Sequence, residues 1–249
     1  MRLSEYKKIN FLYASLLFLG IWHCLSVYIN NDILPGPLKI GSYIINNLSQ
    51  EILVHISYSF SRILVGLLVT VIIGIPVGIV MGYYEKIDSI LSPILYFNYP
   101  VPKIALLPIL MLFWGLGEMP KVVMIVFITI FPVIVNIRDS VKSVPKEIYY
   151  PMYSLGASDG QIIYEIVFPY VLPVILTSIR IGIGTAISIL FFTENFGTQY
   201  GMGYYIMDSW MRVSYIQMYS AIIILSFIGL IFFIFIDILE TLLCPWKKY

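Results

Sequence analysis

The sequence predicts an all-α integral membrane protein with six transmembrane helices, and three observations carry that prediction. Hydrophobic residues make up 59% of the 249 and charged residues only 12%. An ordinary soluble domain is about 25% charged, and the mean hydropathy here is +0.90. Six apolar runs lie at about residues 11–29, 58–83, 89–116, 121–137, 170–193 and 217–239. Their lengths suit a hydrocarbon core that about 20 helical residues cross. The cations are also asymmetric. With both termini inside, the inner segments hold Arg2, Lys7, Lys8, Lys86, Arg138, Lys142, Lys146, Lys247 and Lys248, whereas the outer segments hold Lys39, Lys121 and Arg212. Cations in short loops favour the cytoplasmic side, so both termini and residues 144–168 are expected in the cytoplasm. Residues 1–249 read as a single transmembrane domain.

The elements follow in order. No small-residue cleavage site follows the first apolar run, so it is expected to be retained as a helix rather than removed as a signal peptide. Residues 30–57 are turn-rich, with Pro35, Gly36 and Pro37, and 43–56 is expected to lie as an interfacial helix. The second span carries Gly66, Thr70, Gly74, Gly78 and Gly82, a small residue at every fourth position. Such a stripe lets two helix backbones approach closely in lipid, either within one chain or between two. Pro76 is expected to kink this helix.

The third hydrophobic region is interrupted by Pro93, Pro100, Pro102 and Pro108, which predicts a broken helix. At membrane depth a break is tolerated where protein or a water-filled cavity covers it. Lys103 lies inside the break. It either lines a substrate path, or snorkels or pairs with an acid. Gly117, Glu118 and Pro120 form a tight turn into the fourth span. The fifth span holds Arg180 near its middle and ends at Glu194, which is available as a partner to Lys103 or Arg180. Gly201-Met202-Gly203 reads as a glycine-rich loop, and Asp237 and Glu240 lie near the end of the sixth span.

The longest inner non-spanning stretch, residues 144–168, predicts helix, sharp turn, helix. Pro145 suits a first helical turn, where a missing N–H costs nothing. A short helix is expected over 146–155, ended by Gly156, because glycine accepts the left-handed cap conformation. Ser158 with Gln161 forms a capping box for a second short helix, expected to stop near Phe168 at Pro169 and Pro173.

These residues resemble the cytoplasmic coupling loop of the membrane subunits of ATP-binding-cassette importers. The family pattern is E-A-A, three residues, a glycine, nine residues, then I-x-L-P. Gly156 is followed ten residues later by Ile166 and then by Phe168-Pro169, while the E-A-A positions hold Tyr150, Pro151 and Met152, with Glu147 three residues early. Leu155-Gly156-Ala157-Ser158 and Leu172-Pro173 are most similar to the branch that includes permeases for nitrate, sulfonates, taurine and some vitamin precursors. The run Leu107-Pro108-Ile109-Leu110 to Trp114-Gly115 also resembles sequences of the family.

The resemblance implies the type I importer permease fold, in the inner or plasma membrane of a prokaryote. It implies cytoplasmic ATPase subunits, a second permease subunit forming a homodimer, and an extracytoplasmic substrate-binding protein. The ATPase-coupling residues are then Lys146, Glu147, Tyr150, Tyr153, Leu155, Gly156, Ala157 and Ser158. Lys103, Arg180 and Glu194 are the translocation-path candidates, and the two cations are suited to an anionic solute unless Glu194 neutralises one of them.

Several chemistries are missing. No G-x-x-x-x-G-K-[ST] or H-E-x-x-H motif occurs. His23 and His55 are the two histidines, on separate segments, and Cys24 and Cys244 lie near opposite ends of the chain. No cofactor, metal, disulfide or catalytic role for the chain is expected. No Lys/Arg cluster fits nucleic acid. An ion-coupled secondary carrier, which needs no ATPase, and a membrane-embedded enzyme or assembly factor are the other two classes. The first should show repeats or paired broken helices. The second needs a convergent polar site.

Overall fold

The computed structural model describes residues 2–247 apart from 30, 49 and 99, without the side chains of 2–12, 50 and 247. Lys248 and the side chains of Arg2, Lys7, Lys8 and Lys247, which enter the charge asymmetry, lie outside the described residues. Every regular element among the described residues is helical. In order they are α1 (Arg2–Ile29), α2 (Pro37–Asn46), α3 (Gln50–Tyr83), α4 (Glu85–Asn98), α5 (Leu107–Trp114), α6 (Met119–Lys142), α7 (Tyr150–Ser154), α8 (Asp159–Ile162), α9 (Phe168–Glu194), α10 (Met202–Met211) and α11 (Tyr215–Leu243). Tight 3-10 turns at Lys103–Leu106 and Lys146–Ile148 lead into α5 and towards α7.

Four stretches are long and apolar enough to cross a bilayer: Glu51–Tyr83, Met119–Lys142, Asp159–Glu194 and Tyr215–Leu243. The pair formed by Glu85–Asn98 and Lys103–Trp114 is apolar enough together but bent by 84°. This is the proline-broken third region. In α1 the described apolar part is Tyr13–Ile29.

The small-residue stripe sets the centre of the bundle. A Cβ on Gly66, Gly74, Gly78 or Gly82 would meet Ile125, Val133, Ile137 or Val141 of α6. Thr70 Oγ1 lies 2.7 Å from Thr129 Oγ1, a pair 59 residues apart. The four glycine pairs have the same separation. A constant offset means that α3 and α6 run parallel. The chain between Tyr83 and Met119 therefore returns to the side from which α3 started, so the bent pair makes one net crossing.

The alternation continues beyond α6. Gly182 of α9 faces Leu67 and Thr129, and Asn136 Nδ2 donates to Ser178 Oγ, so α9 runs antiparallel to α3 and α6. Ile187 of α9 covers Gly229, and Arg180 pairs with Asp237 and Glu240, so α11 turns back again. Ile63, Leu67, Ile125, Ile183, Leu190, Ile228 and Phe232 form the core where these helices meet. The stripe thus serves packing within the chain, where dispersion between closely spaced backbones replaces the hydrophobic drive that lipid does not provide.

Two expectations need correcting. The interfacial helix expected over 43–56 does not form as one element. Pro37 starts α2 earlier, Asn47 closes it with its backbone N–H and Nδ2 on Tyr43 O, and 51–56 are the opening turns of α3. The second helix of the 144–168 stretch does not stop at Phe168 either. Asp159–Glu194 is one continuous helix of 36 residues. Residues Ile163–Val167 form a π turn just before Pro169. Its wider winding makes room for a proline ring that would otherwise strike the carbonyl four residues back.

Candidate functional site

Residues 144–158 form an elbow beyond the C-terminal end of α6. Val144 is buried under it, and Pro145 opens the 3-10 turn Lys146–Ile148. Helix α7 ends in a Schellman turn. Gly156 has φ +71°, its N–H donates to Tyr153 O (3.0 Å), and Ala157 N–H donates to Met152 O (3.0 Å). Ser158 then caps the next helix, with its N–H on Gln161 Oε1 at 2.8 Å, in the capping box read from the sequence. The reversal is therefore specified by Gly156 and Ser158, one of which supplies the positive φ and the other a cap. The elbow leaves Lys146, Glu147, Ile148, Tyr150, Tyr153 and Leu155 exposed.

Its inner surface is braced against the end of α3. Tyr83 and Tyr84 donate their hydroxyls to Asp159 Oδ1 (3.1 Å) and Oδ2 (3.2 Å). The Tyr83 ring lies 6.5 Å from Tyr149, which stacks on Tyr153. Asp88 at the start of α4 pairs with Lys142 and, at 3.6 Å, with Arg138 at the end of α6. The elbow is thus tied to α3 as well as to its own flanking helices. A cleft of about 850 Å³ opens beside it, lined by Tyr83, Asp88, Lys142, Tyr149, Tyr153 and Asp159 among others.

The in-span charges do not pair as expected. Glu194, expected as a partner for Lys103 or Arg180, instead receives Arg62 Nη1 (2.6 Å), Ser59 Oγ (2.8 Å) and the Gly203 backbone N–H (2.7 Å). Arg180 is neutralised by Asp237 and, at 2.7 Å, by Glu240. Lys103 donates to Asn98 O (3.2 Å) and sits 5.3 Å from the Phe131 ring centre, and it has no ion pair among the described residues.

The hub around Arg62 was missed in the sequence. It joins Ser59 and Arg62 of α3, Glu118 before α6, Glu194 at the end of α9, and the Tyr200–Gly203 turn. The signal was present, since an in-span cation without a partner is costly. Its two carboxylates lie far away in sequence. The Arg62 guanidinium holds the Glu118 carboxyl below the ordinary carboxylate range. With a lowered folded value, the stability from this pair is present at neutral pH and is lost as pH falls through that value. The expected glycine-rich loop is shorter than read, because α10 begins at Met202 directly after Gly201.

Comparison with known proteins matches this architecture. The family model described as "Binding-protein-dependent transport system inner membrane component" matches residues 74–249. The chain belongs to this family. It is a permease subunit of an ATP-binding-cassette importer, of the branch that handles nitrate, sulfonates and taurine. The chain is 30% identical to the formylaminopyrimidine transport permease protein of Halalkalibacterium halodurans over 94% of each chain. It is 32% identical to the taurine transport system permease protein of Escherichia coli over 77% of this chain and 70% of that one. It is 29% identical to the nitrate import permease protein of Synechocystis over 85% and 78%. Membership makes this permease a multi-pass inner membrane component that works with an ATPase and a substrate-binding protein.

Proposed function

We propose that this permease takes up a small polar solute by passing the closure of a separate ATPase subunit through the elbow at 146–158 to the bundle. The observation that supports this most is the elbow itself: a turn specified by Gly156 and Ser158, with Tyr150, Tyr153 and Leu155 exposed on it. Large amphipathic rings of this kind act as interface anchors. Two copies pair around the path, with both termini in the cytoplasm, and α1 supplies a sixth crossing. The ATPase binds at the elbow, and the binding protein delivers solute on the opposite face. Hydrolysis takes place in the ATPase, and this chain needs no cofactor.

Gly156→Val tests the elbow. A β-carbon at φ +71° strains the turn by about 1–2 kcal/mol. The open space around the position means that this strain is local. Uptake is expected to fall about tenfold or more, while ATP hydrolysis by the assembled complex persists, in line with ordinary coupling energies. Uptake at the wild-type level would overturn the coupling role.

Solute selection is proposed to rest on the broken third crossing. Of Arg62, Lys103 and Arg180, Lys103 is the one with no ion pair among the described residues, so we place it to face an anionic group. Lys103→Met is expected to lower uptake of a sulfonate more than uptake of a neutral aminopyrimidine. Equal losses for the two solutes would remove Lys103 from selection.

A further inference from the structure

Arg62 serves two carboxylates of opposite character. Glu194 is wholly buried at 0% exposure, whereas Glu118 is 53% exposed. Glu118 receives Arg62 Nε at 2.5 Å and Nη2 at 2.7 Å. If that pair opens, Arg62 keeps Glu194 and the Tyr200 carbonyl at 2.8 Å, and Glu118 enters water. Arg62 then still has a carboxylate, and the buried Lys121 keeps its two carbonyl partners. If the Glu194 pair opens instead, a buried carboxylate is stranded. The Glu118 arm is therefore the releasable one.

The arm ties down the foot of a segment that is hinged at both ends. At one end lies the 84° break between α4 and the α5 region. At the other, Gly115 has φ +75°, and neither Gly115 nor Gly117 has a neighbour within 4 Å of a built β-carbon. Leu116 packs over Gly197, and Lys121 Nζ donates to Gly117 O at 2.7 Å and to Gly197 O at 3.4 Å. Glu118 is then the ionic tie from this turn to α3. It lies at the end of the bundle opposite the elbow, because α3 and α6 both run from the Arg62–Glu118 end to the Tyr83–Lys142 end.

We propose that Glu118 is a positioning residue. Through Arg62 it holds the outer end of the broken crossing in its resting place, and docking of the substrate-binding protein releases it. This rests on the importer reading above, since it requires a binding protein on the face opposite the ATPase. While the arm is closed, the broken segment stays fixed and the ATPase idles. Once the arm opens, the Gly115–Gly117 turn beside Glu118 comes free of α3, the broken segment shifts with it, and the change reaches the elbow along the tightly packed α3–α6 pair.

The test uses the full complex in proteoliposomes, with ATP hydrolysis measured with and without the binding protein. Glu118→Gln keeps the size of the side chain and removes its charge. It is expected to hydrolyse ATP without the binding protein about fivefold faster than wild type, the low end of ordinary coupling between sites. Stimulation by the binding protein should shrink correspondingly. Glu118→Asp keeps a carboxylate that is one methylene short, and it is expected to fall between the two. A merely structural role would lower assembly and total activity but leave the stimulation ratio unchanged. An unchanged ratio in Glu118→Gln overturns the proposal. If that variant fails to assemble, a wild-type ratio in Glu118→Asp does so. A wild-type chain that recruits no ATPase would instead sink the importer reading, which is a different outcome.

Discussion

Arg62→Met is expected to leave little folded protein in the membrane. Arg62 is 1% exposed, and it is the cation that balances Glu194, itself 0% exposed. Removing one partner of a buried pair strands the other charge, at about 3–5 kcal/mol, a large part of the stability of a typical domain. Ser59 Oγ and the Gly203 N–H still reach Glu194, but neither carries a charge. The double variant Arg62→Met with Glu194→Met should recover part of the loss, because no unpaired charge remains buried. Membrane yield and thermal unfolding in detergent measure both. A single variant as stable as wild type would show that the hub contributes nothing to folding.

Gly82→Val is the second large effect. At Gly82 a β-carbon would lie 2.8 Å from Arg138 O, a backbone atom that cannot rotate away. At Gly78 it would lie 3.0 Å from Ile134 O and 2.8 Å from Ile137 Cβ. Helices α3 and α6 must separate at their C-terminal ends, with an overpacking cost of about 1–3 kcal/mol. The same separation would move Tyr83 and Tyr84 away from Asp159, so uptake should fall along with melting temperature. Gly41→Ala, where a β-carbon meets nothing within 4 Å, is the control and should change neither. A Gly82→Val protein with wild-type melting and uptake would contradict the packing described for α3 and α6.

Features specified by neighbouring residues were legible in the sequence. The Gly156 turn and the Ser158–Gln161 box each depend on a few consecutive residues, and both were read in place. The break at Pro100–Pro102 was legible for the same reason, since proline acts on its own turn. The stripe on α3 was visible as a pattern, but its partner was not, because nothing local distinguishes α6 from a second chain as the surface that fills it. The end of the elbow's second helix was misread. The sequence places its end near Phe168, ahead of Pro169 and Pro173, whereas the π turn at Ile163–Val167 carries the helix through. The charge pairs were the least legible. Arg62 lies 56 residues from Glu118 and 132 from Glu194, and only the fold brings them together. Glu194 was read as a free partner for Lys103 or Arg180, yet Arg180 was already satisfied by Asp237 and Glu240 on a neighbouring helix.

The central claim is that work done by a separate ATPase enters this chain at the elbow. It is tested most directly by uptake into proteoliposomes holding the permease and binding protein, with the cognate ATPase and its nucleotide supplied on the elbow side. Labelled taurine and formylaminopyrimidine serve as probes. The account predicts uptake of at least one probe only when both the ATPase and hydrolysable ATP are present, and none under an ion gradient alone. Uptake at the full rate without the ATPase, driven by a sodium or proton gradient, would contradict it.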